Sequence, residues 1–198
     1  MRMDYKVWLG VIAVIMGFIG YVPYFRDISL GKTKPHAFSW LVWGILTGIA
    51  FVGQVTSNGG AGAWVTGFTA LVCLTIFLFA LRKGAKDFPL LDWLSLVGAG
   101  IALLLWFVTK DPLGAIILVS IIDALGFIPT FRKSVARPYE ETMFTYIMSG
   151  LKFVIGIIAL TEFSLVNVLY PASLVLNNGA FVILLIVRRK QLHSDKST

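Results

Sequence analysis

Long uninterrupted runs of apolar residues, separated by short polar breaks, divide the chain into seven segments. They cover residues 7–25, 37–55, 63–81, 91–109, 113–131, 141–160 and 167–187. A helix of about 20 residues at 1.5 Å per residue crosses a hydrocarbon core of roughly 30 Å, so runs of this kind are typical of transmembrane helices. A membrane β-barrel would need segments of about ten residues with alternating polarity. The pattern therefore predicts an all-α membrane protein with seven spans.

A seven-residue phrase occurs twice. Residues 20–26, GYVPYFR, return as residues 126–132, GFIPTFR, and each copy closes an apolar run. Internal repeats are a sequence signature of membrane transporters. The repeat predicts two parallel three-helix bundles, formed by spans 1–3 and 5–7, with span 4 as an inversion linker. The corresponding divisions of the chain are 1–89, 90–112 and 113–198.

Composition supports the membrane interpretation. Hydrophobic residues make up 58% of the chain and charged residues 14%, whereas a soluble domain carries about 25% charged residues. The net charge of +7 raises the question of nucleic-acid binding. We expect no such partner, because the basic residues flank the apolar runs, as expected for loops that orient a membrane protein.

The basic residues also predict an orientation. With seven spans, Arg2, Lys6 and Lys110 lie on one side of the membrane, Lys152 lies inside a span, and the other thirteen of the 17 lie on the opposite side. The positive-inside rule then places the N-terminus outside and the C-terminus in the cytoplasm. We predict an integral protein of the cytoplasmic (inner) membrane.

The repeated phrase and the residues after it resemble a PQ-loop repeat. The first copy comprises residues 23–28, 31–35 and 38–44, and the looser second copy comprises residues 129–133, 137–138, Thr142 and Tyr146. Neither copy has the glutamine that names the motif, since Tyr24 and Thr130 follow the prolines. The arrangement of three helices, a linker and three helices is similar to that of the SWEET sugar transporters, and PnuC vitamin transporters share it.

The resemblance implies a mechanism and some of its residues. In that family two three-helix bundles rock about a central site, and prolines near the cytoplasmic ends act as hinges. Pro23 and Pro129 match that role, with Tyr24 and Phe131 beside them at the gate, whereas Pro35 and Pro138 are expected to begin helices 2 and 6. The resemblance also implies a substrate-binding amide on helix 7, at Asn177 or Asn178.

Only Asp123 and Lys152 place a charge at mid-span. Such charges are costly in a bilayer, usually face the interior of the bundle and mark function. Counted from the cytoplasmic ends of spans 5 and 6, their depths differ by roughly 3 Å, so an ion pair between them is feasible. Two interpretations stay open here: a structural pair joining helices 5 and 6, or part of a midplane substrate site.

Further polar residues extend this predicted site. Spacing of three and four residues puts polar side chains on one face of each of helices 5, 6 and 7, and Trp43 lies on the helix 2 face of Thr47. Because both charges lie on spans 5 and 6, we expect the charge of the site to be concentrated in the second bundle. The predicted substrate-binding residues are Asp123, Lys152, Asn177, Asn178, Ser149, Ser173, Trp43, Thr47, Thr69 and Cys73. The lone Cys73 excludes an intrachain disulfide.

These observations predict a transporter of a small polar solute, such as a sugar, nucleoside or vitamin, that works by alternating access at a midplane site as a facilitator or a weakly ion-coupled carrier. The alternative is a non-transporting receptor or assembly protein on the same fold. A retinal protein is disfavoured because the intramembrane lysine lies in span 6 instead of span 7. We predict no enzymatic activity, cofactor or metal, since no nucleophile or metal-ligand constellation is present. The expected partners are the lipid bilayer and the solute, and a homo-oligomer is left open.

Overall fold

The computed structural model describes residues 5–31, 35, 37–83 and 90–194. In these ranges the chain forms seven α-helices and no strand, which confirms the all-helical prediction. The helices are α1 (Tyr5–Ser29), α2 (Ala37–Thr56), α3 (Trp64–Lys83), α4 (Leu90–Thr109), α5 (Pro112–Ala136), α6 (Met143–Ile158) and α7 (Leu165–Ser194). Two short 3-10 turns, Gly60–Ala63 and Pro138–Glu140, precede α3 and α6. Residues 32–34, 84–89 and 195–198, which contribute to the predicted orientation, lie outside the described ranges.

Three segments are long and apolar enough to cross a membrane: Tyr5–Ser29, Gly60–Arg82 and Leu165–Leu192. The remaining helices contain shorter apolar stretches of 10–17 residues. Large apolar side chains cover much of the outer surface, and α4 is the clearest case, with Phe107 73% and Val108 69% exposed. Apolar side chains turned outward in this number fit a lipid environment better than water, so the structure is compatible with an integral membrane protein.

The helices pack in a pattern that repeats between the two ends of the chain. In α1–α3, which we call the first triplet, α3 packs against both α1 and α2; in α5–α7, the second triplet, α7 packs against both α5 and α6. Between the triplets, α1 packs on α6 and α2 on α5, with smaller contacts of α3 with α6 and α2 with α7. If α1, α2 and α3 are exchanged with α5, α6 and α7 in that order, each of these helix contacts becomes another contact of the same set. Helix α4 packs on α5 and α2.

The position predicted for Pro138 is wrong. It begins a 3-10 turn, and α6 starts only at Met143. The guanidinium of Arg189 explains the delay, because it donates hydrogen bonds to the carbonyls of Pro138 (2.9 Å) and Glu141 (2.8 Å). Because these carbonyls are bonded to a side chain near the end of α7, residues 138–141 do not join the helical hydrogen bonding of α6. Pro35 lies two residues before α2.

Candidate functional site

One end of the molecule is closed by hydrogen bonds that centre on Asn167, and we call it the Asn167 end. The Asn167 side chain is fully buried, and its Nδ2 donates to the carbonyls of Ser57 (2.7 Å) and Glu162 (2.9 Å). The Asn167 carbonyl has no helical partner, because the residue four positions later is Pro171, which lacks an N–H. Gln54 Nε2 donates to that carbonyl at 2.8 Å. A polar side chain of α2 thus supplies the hydrogen bond that the proline removes from this carbonyl of α7.

Other contacts at the Asn167 end also join the first triplet to the second. The backbone N–H of Thr161 donates to the carbonyl of Gly59 at 3.1 Å. The Lys6 ammonium donates to the carbonyl of Leu160 at 2.7 Å. The backbones before α3 and in α6 meet closely, since a Cβ on Gly62 would lie 2.5 Å from the carbonyl oxygen of Gly156. These contacts tie the two triplets together at the Asn167 end.

The opposite end is lined by aromatic rings, which we call the aromatic arc. The rings contact one another in sequence at centroid distances of 4.4–6.5 Å, a range in which aromatic pairs attract. Five helices contribute to it: α1, α2, α5, α7 and α6. In order, the members are Tyr24, Trp40, Trp43, Phe127, Phe131, Phe181 and Tyr146. Only the contact of Trp43 with Phe127, at 6.5 Å, crosses from one triplet to the other.

Asp123 lies between these two ends, where α5, α7 and α2 meet. Its side chain is only 3% exposed. The Tyr170 hydroxyl donates to Asp123 Oδ1 at 3.3 Å and lies 3.1 Å from Thr47 Oγ1. Thr47 is itself buried and bonds the carbonyl of Trp43 at 2.6 Å. Two predicted site residues, Asp123 and Thr47, are therefore brought together through Tyr170, and Trp43 lies one turn from Thr47 on α2.

Lys152 points elsewhere, and the feasible ion pair with Asp123 does not form. The buried ammonium donates to Thr69 Oγ1 of α3 at 2.9 Å and lies 4.6 Å from the ring centroid of Tyr21 in α1. The physical reason is helix order: α7 lies between α5 and α6, so the inner face of α6 turns toward α1 and α3. Both charges belong to helices of the second triplet, and the ammonium of Lys152 lies against the first triplet.

The repeat relates these two polar clusters. Gly17 and Asp123 each lie three residues before their copy of the repeated phrase. At the first of these positions the missing side chain leaves room for Phe68 and Lys152, since a Cβ on Gly17 would lie 2.9 Å from Phe68 Cε1 and 3.3 Å from Lys152 Cδ. At the second, a carboxylate occupies the equivalent place and bonds Tyr170. Opposite charges therefore lie at related places on the triplet boundary, and both come from the second triplet: the carboxylate from α5 and the ammonium from α6.

The separation of Asp123 and Lys152 predicts that they act independently. In a double-mutant cycle of Asp123→Asn and Lys152→Met, the effects on the free energy of unfolding should add to within about 0.5 kcal/mol, as for groups without shared partners. An ion pair would give a coupling of roughly 0.5–3 kcal/mol. The cycle can be measured by reversible unfolding in detergent. A coupling above about 1 kcal/mol would show that the two charges pair in the folded chain.

The two candidate amides of α7 differ in their surroundings. Asn178 is buried, packs beside Gly150 of α6, and donates to the carbonyl of Leu174 in its own helix at 2.7 Å. The Nδ2 of Asn177 is buried without a hydrogen-bond partner among the described residues. At 100° per residue, Asn177 lies within about 40° of both Tyr170 and Phe181 on the helix. It therefore occupies the face of α7 between the Asp123 cluster and the aromatic arc.

The remaining predicted substrate-binding residues contribute less to this geometry. Ser173 donates to the carbonyl of Tyr170 at 2.7 Å and so bonds within α7. Cys73 is a buried free cysteine in α3. Ser149 is partly buried on α6. None of these three bonds to Asp123 or Lys152.

The predicted gate residues fall at the aromatic end. Pro23 lies inside α1, which continues to Ser29, and Tyr24 packs against Trp40 with a centroid distance of 5.2 Å. Phe131 packs against Phe181 at 5.3 Å. Pro129 lies within the range of α5, and its side chain is outside the described part of the structure. A hinge action of either proline stays a prediction.

Several residues of this arrangement were not among the predicted site residues. Asn167 and Gln54 close one end, Tyr170 holds Asp123, and Tyr146 and Phe181 complete the aromatic arc. The spacing of Asn167 and Pro171 was a usable signal, because a proline inside a helix leaves the carbonyl four residues earlier unbonded. The partners of that carbonyl and of Asp123 depend on tertiary packing and have no sequence signature.

Comparison with protein-family models, curated proteins and solved structures finds no match to this chain.

Proposed function

We propose that the chain is a seven-span membrane carrier that moves a small polar solute by alternating access between its two triplets. The observation that carries the proposal is the exchange pattern of helix packing, with oppositely charged buried side chains at related places on the boundary. Two similar bundles meeting around polar groups at mid-depth are the general arrangement of carriers built from repeats. The resemblance to PQ-loop and SWEET-like proteins supports the same proposal.

The ends of the molecule receive different roles in this proposal. The bias of basic residues puts the Asn167 end outside and the aromatic end in the cytoplasm. Hydrogen bonds across the triplet boundary then form the outer gate, and the described conformation is closed to the outside. The weak cross-boundary contact of Trp43 with Phe127 is the place where the inner gate opens. Asn167, Gln54 and Gly62 hold the outer gate shut.

The solute site lies between these gates. Asp123, Asn177, Thr47 and Trp43 line it from the second triplet and α2, and Lys152 with Thr69 forms the opposing side. We assign the substrate-binding amide to Asn177, because Asn178 is already bonded within its own helix. Movement of the triplets changes the contacts that these two residues make with the first triplet: Asp123 with Thr47 through Tyr170, and Lys152 with Thr69.

The test is counterflow uptake in proteoliposomes. Vesicles that contain the purified protein are preloaded with one unlabelled solute class, such as a sugar, nucleoside, amino acid, vitamin or organic amine. We expect saturable uptake of the labelled form of at least one class, and Asn177→Leu should reduce it at least about tenfold through loss of the amide contact. Leu176→Ala, at an exposed position on the same helix (71% exposed), is the matched control.

Two outcomes would count against the proposal. Uptake equal to that of protein-free vesicles for every class would reject a carrier. Binding of a solute to the purified protein without any uptake would instead favour the non-transporting receptor. An unchanged rate for Asn177→Leu, with uptake present, would move the solute site away from α7.

A further inference from the structure

Asp123 is a buried carboxylate that has no positive partner among the described residues. Its Oδ1 accepts one hydrogen bond from Tyr170, and its Oδ2 is buried without a hydrogen-bond partner among the described residues. The nearest candidate counter-ion by depth, Lys152, is bonded to Thr69 on the other side of the boundary. Burying an ionised carboxylate without a cation or a full set of donors is strongly unfavourable. An ionised Asp123 therefore leaves a place for a positive charge.

The aromatic arc approaches the same place. The indole of Trp43 packs over Gly126, where a Cβ would lie 3.4 Å from Nε1. Gly126 and Phe127 are three and four residues after Asp123, so they lie one turn further along the same face of α5. Thr47, one turn from Trp43 on α2, reaches Asp123 through Tyr170. Asp123 and the indole of Trp43 thus lie about one turn apart along α5.

We propose that the transported solute is an organic cation whose charge binds beside Asp123 and whose body lies against Trp43 and Phe127. The proposal rests on the carrier function and names its substrate class. A cation over an aromatic face is attracted by the ring quadrupole, and rings around a cation are the usual way to hold a quaternary ammonium group. The positive charge of the solute compensates the negative charge of Asp123. The solute therefore binds more tightly than its apolar contacts alone would allow.

The competing solute classes fit these groups less well. An anion would have to face the free carboxylate oxygen, while the ammonium of Lys152 lies against Thr69 and the Tyr21 ring. A neutral sugar can donate a hydroxyl hydrogen bond to the carboxylate, but it brings no positive charge to compensate that of Asp123. A compact cation with an apolar body matches both features together.

The first test uses the wild-type protein and two probes of the same shape. Choline carries a trimethylammonium group, and 3,3-dimethylbutan-1-ol replaces it with a neutral tert-butyl group. Binding to the purified full chain is measured by calorimetry, with thermal unfolding as a second readout. We expect choline to bind at least about tenfold more tightly than the alcohol, since a desolvated cation–π contact is worth about that ratio. Benzyltrimethylammonium should bind more tightly than choline, because its ring adds contact with the arc.

Variants then assign the two halves of the site. Asp123→Asn should weaken choline at least about thirtyfold and leave the alcohol unchanged, as expected when one partner of a buried charge pair is removed. Trp43→Leu should remove most of the advantage of benzyltrimethylammonium over choline. Trp8→Leu, at an exposed tryptophan near the start of α1, is the matched control and should change neither affinity.

Equal affinity of the wild-type protein for choline and the neutral alcohol overturns the proposal, and this result needs no variant to fold. Choline affinity that is unaffected by Asp123→Asn overturns the role of Asp123. The experiments distinguish an error in the substrate class from an error in the carrier function. Uptake of a neutral solute without cation binding rejects the substrate class alone, whereas cation binding without counterflow rejects the carrier alone.

Discussion

Replacing Asn167 with alanine is expected to lower the free energy of unfolding by about 1–3 kcal/mol, because the change leaves partly buried carbonyls without a donor. The lost bonds are those from Nδ2 to Ser57 and Glu162, which join α2, the loop before α7 and α7 itself. The bond from Gln54 to the Asn167 carbonyl should persist, since it involves only the backbone of Asn167. Thermal unfolding in detergent should show a decrease of roughly 3–10 °C.

The matched control for this change is Asn178→Ala. Its amide is also buried on α7, but it donates only to the carbonyl of Leu174 in the same helix. That carbonyl already serves the helix backbone, so the loss should be smaller than for Asn167→Ala. Equal losses for the two variants would show that Asn167 does not join the triplets.

Replacing Gly62 with alanine is the second large effect that we expect. A Cβ at this position would lie 2.5 Å from the carbonyl oxygen of Gly156 and 2.7 Å from the backbone nitrogen of Leu160. Both atoms belong to the backbone of α6 or its end, so relief requires movement of the helix. Overpacking of this kind costs about 1–3 kcal/mol. In a carrier it also favours the conformation with an open Asn167 end, where α3 and α6 separate.

Gly100→Ala is the control for Gly62→Ala. No atom lies within 4 Å of a Cβ built on Gly100 of α4, and alanine is a better helix former than glycine by roughly 1 kcal/mol. Thermal unfolding should therefore show a decrease for Gly62→Ala and no decrease for Gly100→Ala. Similar melting temperatures for wild type and Gly62→Ala would show that the turn before α3 does not meet the backbone of α6 closely.

The helices themselves follow from the sequence, because a local property determines them. Each apolar run is bounded by charges or turn residues, and the observed ends of α2 at Thr56 and of α4 at Thr109 differ from the predicted ones by a single residue at most. The delayed start of α6 is different. It depends on Arg189, which lies some fifty residues away and fixes two carbonyls before the helix.

The partners of the buried charges could not be predicted in the same way. Counting residues gives the depth of Asp123 and Lys152, but the direction of each side chain depends on which helices are neighbours. The prediction treated α5, α6 and α7 as mutual neighbours, whereas α7 separates α5 from α6 and turns Lys152 toward α1 and α3. Helix order in a bundle is set by tertiary packing, which periodicity alone does not contain.

The most direct test of alternating access measures both ends of the molecule at once. Pairs of spin labels can be placed at exposed residues of opposite triplets after Cys73→Ala removes the native cysteine. Val55→Cys with Phe163→Cys reports on the Asn167 end, and Leu30→Cys with Val187→Cys reports on the aromatic end. Distance distributions are recorded in liposomes, without added solute and with the solute that counterflow identifies. The proposal predicts that the two distances change in opposite directions when the solute is added. Distances that stay constant, or that change in the same direction at both ends, would contradict it.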